Sequence, residues 1–464
     1  MFTIDLWIQQ IYNTNRMLRR IIGLETEYGC LIEPPLKPER VIPEIRDWFF
    51  NNNRYGLIDT HDRDWDEPVG NGGFLFNGGR IYVDMGHIEY CTPECASAVD
   101  TVLYDRAGDL LLVDAVEDLG YNGKVKFFRN NIDHYTGATF GCHENYSMDR
   151  HAPLSKKNVL SLLAFQSMRV LFVGSGRVGS ASEGSIYETG SGIYDNVPYQ
   201  LSQRADYIHN DFFQWVQHNR AIINTRDEPL ADPRKYRRLH LLHSDTNVLP
   251  ANLFLKVGAS SLVLDLLEDD AMPEIELDDA VGSLHLLNRR LEPPWNVFTR
   301  NGGEVDAVEL LYEYWENADQ NYRNRDPESD AILNIWKKVL DGLASDCTEL
   351  IGDLDWVTKQ YLLEQFMANE NLNWDDPWLK AQDIEYHNVD PSESLGLALA
   401  NRDGIWEPDE AVNSKIEPPK DTRASKRSKL MRDIEGHRNS YILDWDRVEL
   451  QNHWRETLLD PFET

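Results

Sequence analysis

The chain has 464 residues, 41% of them hydrophobic and 11% aromatic, which is enough apolar material for a large core and excludes a disordered chain. Lys and Arg number 46 against 78 Asp and Glu, a formal net charge of −32. That balance excludes bulk nucleic-acid binding and adhesion to an anionic membrane, both of which need a basic footprint. The length admits two or three domains, or one large α+β body with an appendage. No uninterrupted apolar run reaches membrane-spanning length. Cys30, Cys91, Cys95, Cys142 and Cys347 are scattered with no CxxC pair, so reduced thiols are expected and not a zinc site or a disulfide framework. The stretch Met1 to Met17 carries Asp5 and lacks a basic start, so it does not read as a signal peptide. A cytoplasmic protein is expected, with Met17 as an alternative translation start.

In chain order, residues 19–34 read as a strand holding Gly23-Leu24-Glu25-Thr26-Glu27-Tyr28-Gly29. Strand side chains alternate faces, so Glu25 and Glu27 point one way and Leu24 and Thr26 the other. A polar, Asp-rich passage over 59–67 reads as a mobile lid. Residues 74–92 return to strand, where Arg80, Tyr82 and Asp84 share one face and Ile81, Val83 and Met85 the opposite one. Glu89 and Glu94 follow. Carboxylates along the wet face of a sheet form a hard-oxygen environment that suits Mg²⁺. Mg²⁺ so held usually also holds nucleotide phosphates, which makes an ATP-dependent enzyme the leading reading. An ordinary half-exposed antiparallel strand is the alternative.

Residues 97–118 carry a helical stripe (Val99, Val102, Leu103, Leu110, Val113). Lys124 to Asn131 reads as a strand and Lys157 to Val173 as a helix. Gly174-Ser175-Gly176-Arg177-Val178-Gly179 matches GxGxxG literally, but a dinucleotide site needs a strand before it and a helix opening inside it. Here a helical pattern precedes it and a Gly/Ser-rich loop follows, so it reads as a decoy. No GxxxxGK[ST] occurs. Residues 219–245 place Arg226, Arg237 and Arg238 on strand ends or short loops, a basic patch in an acidic chain with forks suited to phosphate or carboxylate. Gly258 to Glu268 and much of 305–370 read as helix, and residues 400–464 as a smaller module.

Several blocks resemble the ligases of the prokaryotic ubiquitin-like modifier Pup (proteasome accessory factor A) and the sister deamidase/depupylase. They are the Arg19 to Gly29 stretch, Asn77-Gly78-Gly79-Arg80-Ile81-Tyr82-Val83-Asp84, Asn130-Asn131-Ile132-Asp133 and Gly141-Cys142-His143-Glu144-Asn145-Tyr146. Ser202 to Ile208, Ile223 to Pro229, Tyr236 to His240 and Asp421-Thr422-Arg423 continue the match, which spans about 19–460. The resemblance implies an α+β, glutamine-synthetase-like fold: an antiparallel β-sheet cradle backed by helices, with a small C-terminal domain. It implies residues 19–399 as the catalytic domain, 400–464 as the small domain and 1–18 as an extension. The implied metal ligands are Glu25, Tyr82 and Glu89, with Glu27 and Glu94 as further acids. Implied nucleotide contacts are Arg80, Thr92 and Trp406, and the implied catalytic base is Asp84. Arg226 and Arg238, with Arg237, are candidates to hold phosphate or modifier carboxylates.

The implied cofactors are ATP and Mg²⁺, and the implied partners are an acidic, disordered Pup-like modifier and lysine-bearing target proteins. The family name points to a proteasome pathway, a destination the sequence leaves open. Ligase and deamidase share these residues. Thr26 between the glutamates, the short interval from Gly29 to Arg80 and the ending Leu459-Asp460-Pro461-Phe462 are ligase-like, whereas Asp84-Met85-Gly86-His87 and Gly174 to Gly179 resemble the deamidase. A small-molecule carboxylate–amine ligase using the same chemistry is the third reading.

Overall fold

The computed structural model describes residues 20–63, 67–134, 138–180, 197–214, 220–400, 408–435, 441–450 and 454–464. Its strands in chain order are β1 (Ile22–Ile32), β2 (Gly56–Ile58), β3 (Gly72–Leu75), β4 (Arg80–Asp84), β5 (His87–Cys91), β6 (Val125–Phe128) and β7 (Cys142–Asp149). Next come β8 (Arg177–Val178), β9 (Tyr199–Gln200), β10 (Asn210–Phe213), β11 (Ala221–Asn224) and β12 (Tyr236–Leu241). The last are β13 (Asn296–Phe298), β14 (Glu304–Asp306), β15 (Tyr441–Asp444), β16 (Arg447–Leu450) and β17 (Trp454–Thr457).

One large sheet runs β10-β11-β12-β7-β1-β5-β4-β3-β2, with β6 also paired to β1. All its pairings are antiparallel except β10 with β11. The architecture is the expected α+β cradle. β1 forms the axis because its alternation is strict: Leu24, Thr26 and Tyr28 are buried while Glu25 and Glu27 are half-buried on the other face. The buried face rests on the helix Ala98–Asp118, which Ser97 caps by accepting from the Asp100 amide. Thr26 and Tyr28 donate to Asp105 (3.4 Å) and Asp109 (3.0 Å) on that helix, and Arg129 pairs with both aspartates at 2.7 and 2.8 Å. The fully buried carboxylates are thus compensated on arrival.

Behind this layer, the helix Pro250–Glu268 is buried along almost its whole length, packed against the helices Ala98–Asp118 and Pro327–Ala344. It begins eight residues before the helix expected from Gly258, because a helix enclosed on all sides shows no amphipathic stripe. The helix expected over Lys157 to Val173 is divided into Lys156–Met168 and Val170–Val173. No helix opens inside Gly174 to Gly179; Arg177 and Val178 form the short strand β8. The 305–370 region forms the helices Ala307–Tyr322, Pro327–Ala344 and Asp355–Glu370. All five cysteines are free.

Near the C-terminus, the helix Arg423–Ile434 and the β15-β16-β17 sheet dock on the edge of the cradle. Met431, Ile434, Leu443, Val448 and Leu458 share a core with Leu57, Phe74 and Phe76 of the β2–β3 edge. Gly78 lies beneath that helix at φ +89°, where a Cβ would come within 2.7 Å of the Ala424 Cβ.

Candidate active site

Register assembles the site. Across β4, β5, β1 and β7, the Cα partners Arg80–Cys91, Cys91–Glu25 and Glu25–His143 form one row. The adjacent row is Tyr82–Glu89 and Glu89–Glu27, and Asp84–His87 lies one step further out. Because faces alternate, these rows present their side chains on the same side of the sheet. Residues separated by as many as 118 positions in the chain therefore meet.

The Tyr82 hydroxyl is the hub: it lies within hydrogen-bond reach of Oε1 of Glu25 and of Oε2 of Glu89, the latter at 2.5 Å, with its single proton shared between them. His143 Nδ1 lies 2.9 Å from the other oxygen of Glu25. His240, on β12, faces the His143 ring edge-on at 5.5 Å, and both its ring nitrogens are buried with no hydrogen-bond partner among the described residues. One ligand atom each from Glu25, His143 and His240 lies within 4.8 Å of the others. A buried imidazole without a partner beside a carboxylate and a second imidazole is a group that fits a divalent cation.

The electrostatics agree. Burial pushes the Glu25 carboxyl up, but hydrogen bonds from His143 and Tyr82 outweigh it and hold Glu25 below the usual carboxylate range. Glu89 lacks a histidine partner of this kind; burial, then the charges of Glu25 and Glu27, push it well above that range. Burial and the neighbouring His143 and Arg238 pull His240 down to about 2, so it stays neutral and able to ligate. Burial, then the charges of Glu25 and Glu89, raise Tyr82, which therefore remains a phenol and a donor. A cation would relieve the accumulated negative charge directly.

Glu27 depends on Gly141. A Cβ there would come within 2.4 Å of Glu27 Oε1 and 2.8 Å of His143 Nε2. Both obstacles are the ends of flexible side chains, so the cost of Gly141→Ala falls on the site and not on the backbone. Isothermal titration with Mn²⁺ should show binding weakened by about ten- to a hundred-fold, with the melting temperature little changed.

Arg80 is almost fully buried; its guanidinium donates to Asp59 (3.0 Å) and Glu67 (2.5 Å) and lies 4.3 Å over the Tyr82 ring. Asp59 to Arg63, part of the passage expected as a lid, are instead tied down: Arg63 bonds Asp59 and Asp444, and Thr60 bonds the Tyr441 carbonyl. Asp84 ends β4 at the rim, before a turn with Met85 at φ 45° and Gly86 at φ 90°.

A cavity of about 200 Å³ opens beside the row of Glu25 and Cys91, lined also by Thr92, Leu230, Arg238 and Trp445. Thr92 is buried there, its hydroxyl accepting from the Leu24 amide at 3.0 Å. The tryptophan on the cavity wall is Trp445, at the β15–β16 turn; Trp406, the one expected, lies outside the described residues. Arg238 lines the cavity, whereas Arg226 does not and pairs on the surface with Glu228 at 2.7 Å.

Glu94 does not join the other acids. Its carboxylate is bound by Arg423 (2.7 Å) and Arg427 (2.6 Å), which hold its charge so firmly that it is unlike an open metal ligand. His143, His240 and Trp445 are functional candidates that sequence reasoning missed, although both histidines stand in the matched blocks. The alternation of Cys142-His143-Glu144 would have separated His143 from Glu144, which faces the core and pairs with Arg169 at 2.6 Å.

Comparison with known proteins places this geometry. The family model described as Pup-ligase protein matches residues 20–449. A Pup–protein ligase from Kineococcus radiotolerans is 33% identical, over 96% of this chain and 97% of its own. A depupylase from Acidothermus cellulolyticus is 37% identical, over 77% and 71%. The solved complex of Pup with its ligase PafA superposes with a TM-score of 0.81 at 28% identity, covering 96% of this chain and 89% of the ligase. PafA in complex with ADP gives 0.74 at 30%, covering 86% and 88%. The chain belongs to the Pup-ligase protein family.

Proposed function

We propose that the chain is an ATP-dependent ligase that joins the C-terminal glutamate γ-carboxylate of a Pup-like modifier to lysines of target proteins. The observation that carries this reading is the cluster of Glu25, Glu89 and His143 around Tyr82, with Asp84 at the open end of the same strand face. A carboxylate is a poor electrophile. In the first step its oxygen attacks the γ-phosphorus of ATP, giving γ-glutamyl phosphate and ADP. In the second, a lysine amine attacks the acyl carbon, phosphate leaves, and Asp84 takes the proton the nitrogen sheds.

Mg²⁺ held by Glu25, Glu27 and Glu89, with His143 and His240 at hand, would spread the charge that develops on the phosphoryl group. Tyr82 orients Glu25 and Glu89. Arg80 and Thr92 serve the nucleotide, Arg238 serves phosphate or modifier carboxylates, and Trp445 offers an aromatic face on the cavity. Residues 19–399 form the catalytic body, 400–464 the module that closes the cavity, and the five free thiols suit a cytoplasmic setting.

The depupylase reading shares every one of these groups. Favouring the ligase is the near end-to-end match to a Pup–protein ligase, against partial coverage of the depupylase. The test is incubation with ATP, Mg²⁺, a lysine acceptor and Pup-like peptides ending in Glu or Gln, read by intact mass. An isopeptide adduct of the Glu-ended peptide with release of ADP is expected. Conversion of the Gln-ended peptide to Glu with no adduct would replace the ligase by the deamidase. If neither peptide reacts, the small-molecule carboxylate–amine ligase becomes the reading.

A further inference from the structure

Arg80 carries two carboxylates, and they are unlike. Asp59 is 3% exposed and is shared with Arg63, whose guanidinium donates to it at 2.8 and 3.0 Å. Arg63 continues to the Leu443 carbonyl and to Asp444 (3.2 Å), immediately before Trp445. The Tyr441 hydroxyl adds a bond to the Ile58 carbonyl (2.7 Å), so this stretch and the β15–β16 hairpin move as one. Glu67 contacts Arg80 at 2.5 Å, but its side chain is 24% exposed and its carboxylate bonds Arg80 alone among the described residues.

We propose that Glu67 is an internal stand-in for nucleotide phosphate on Arg80, displaced when ATP binds, while Asp59 is the positioning residue that keeps Arg80 aimed and ties it to the Trp445 hairpin. This rests on the reading that Arg80 contacts the nucleotide. The charge count favours a displacement. The two carboxylates that Arg80 bonds, Asp59 and Glu67, are already matched by Arg80 and Arg63, and Asp444 is shared between Arg63 and Arg447. Phosphates added to Arg80 create a local negative excess unless a carboxylate leaves. Asp59 cannot leave at low cost, because it is buried between two arginines and its departure strands buried charge. Glu67 leaves into water.

A second feature shows that Arg80 has capacity to spare. Its Nε is buried without a hydrogen-bond partner among the described residues, a donor unused there. Its stacking on Tyr82 also means that re-aiming Arg80 is felt at the hydroxyl shared by Glu25 and Glu89. The exchange of Glu67 for phosphate would thus set the nucleotide end and the carboxylate cluster together.

The experiment is calorimetric titration of the full chain with ADP in the presence of Mg²⁺, for the parent and for Glu67→Gln, Asp59→Asn and Arg80→Ala. Glu67→Gln should bind ADP about two- to five-fold more tightly, and the gap should narrow at high salt. Asp59→Asn should bind more weakly by at least as much. A gain in affinity cannot come from damage to the fold, so Glu67→Gln decides the matter even if Asp59→Asn fails to fold. Unchanged or weaker binding by Glu67→Gln, with Arg80→Ala still weakened, overturns the stand-in. Unchanged ADP affinity in Arg80→Ala instead overturns the underlying assignment of Arg80 to the nucleotide.

Discussion

Asp84→Asn is expected to slow isopeptide formation by about 10²- to 10⁴-fold, the usual worth of a positioned general base, while ADP still binds. The attacking lysine carries its proton at neutral pH and must lose it to become a nucleophile. Asp84 is the carboxylate proposed as that acceptor. It is the last residue of β4, on the face of Arg80 and Tyr82 and opposite His87. The left-handed Met85 and Gly86 reverse the chain there, and Met85 is 82% exposed, so the strand ends where a folded target protein can approach. Asparagine preserves the size of the side chain and the hairpin but cannot hold a proton at neutral pH. Single-turnover assays that follow ADP release and lysine adduct separately make the test sharp. Adduct formation should collapse while the first-turnover release of ADP persists. Retention of more than a tenth of the adduct rate would remove Asp84 from the role of base. Joint loss of adduct and ADP affinity would move it to the nucleotide side of the site.

Much of this site was legible before any coordinates, and the reason is periodicity. Glu25 with Glu27, and Arg80 with Tyr82 and Asp84, each fall on one strand, where alternate residues must share a face. Strand pairing is a different kind of information. Nothing local in Gly141 to Tyr146 says that β7 lies beside β1, so His143 stood in a matched block without a partner, and His240 likewise. Glu94 shows the converse error. It follows Glu89 closely in sequence, yet it lies past the end of β5, where two arginines from a helix more than 300 residues away capture it. Trp445 was missed because a tryptophan in a hairpin turn carries no pattern; only the packing of β15 and β16 against the cradle turns it to the cavity, and Trp406 lies outside the described residues. The helix Pro250–Glu268 was read short for a related reason, since burial on all sides erases the stripe by which a helix is recognised.

The second large effect concerns that captured glutamate. Glu94→Ala should destabilise the docking of the C-terminal module by about 3–5 kcal/mol, the range for breaking a buried ion pair from one side. Arg423 and Arg427 are both buried, and they also donate to the carbonyls of Leu230, Leu458, Gly78 and Trp445. Removing Glu94 leaves two guanidiniums in the interface with backbone oxygens but no counter-charge. The helix Arg423–Ile434 and the β15–β17 sheet should loosen first, since their shared core with the cradle is the small cluster around Phe74 and Phe76. Hydrogen exchange over 423–464 reads this directly, and faster exchange confined to that segment is expected. The same group sets a pH dependence. Burial opposes ionisation of Glu94, but Arg427 and Arg423 outweigh it and hold the carboxyl at about 2, below its ordinary value of 4.5. A depressed folded value means stability that is fully present above about pH 4.5 and lost as the pH falls towards 2. The protection factors of the parent in this segment, exchange rates corrected for the intrinsic pH dependence of amide exchange, should therefore fall below pH 4.5, whereas those of Glu94→Ala, already lacking the charge, should show no further fall from this source. If both proteins loosen equally with acid, the module is held by its apolar core and the ion pair contributes only direction.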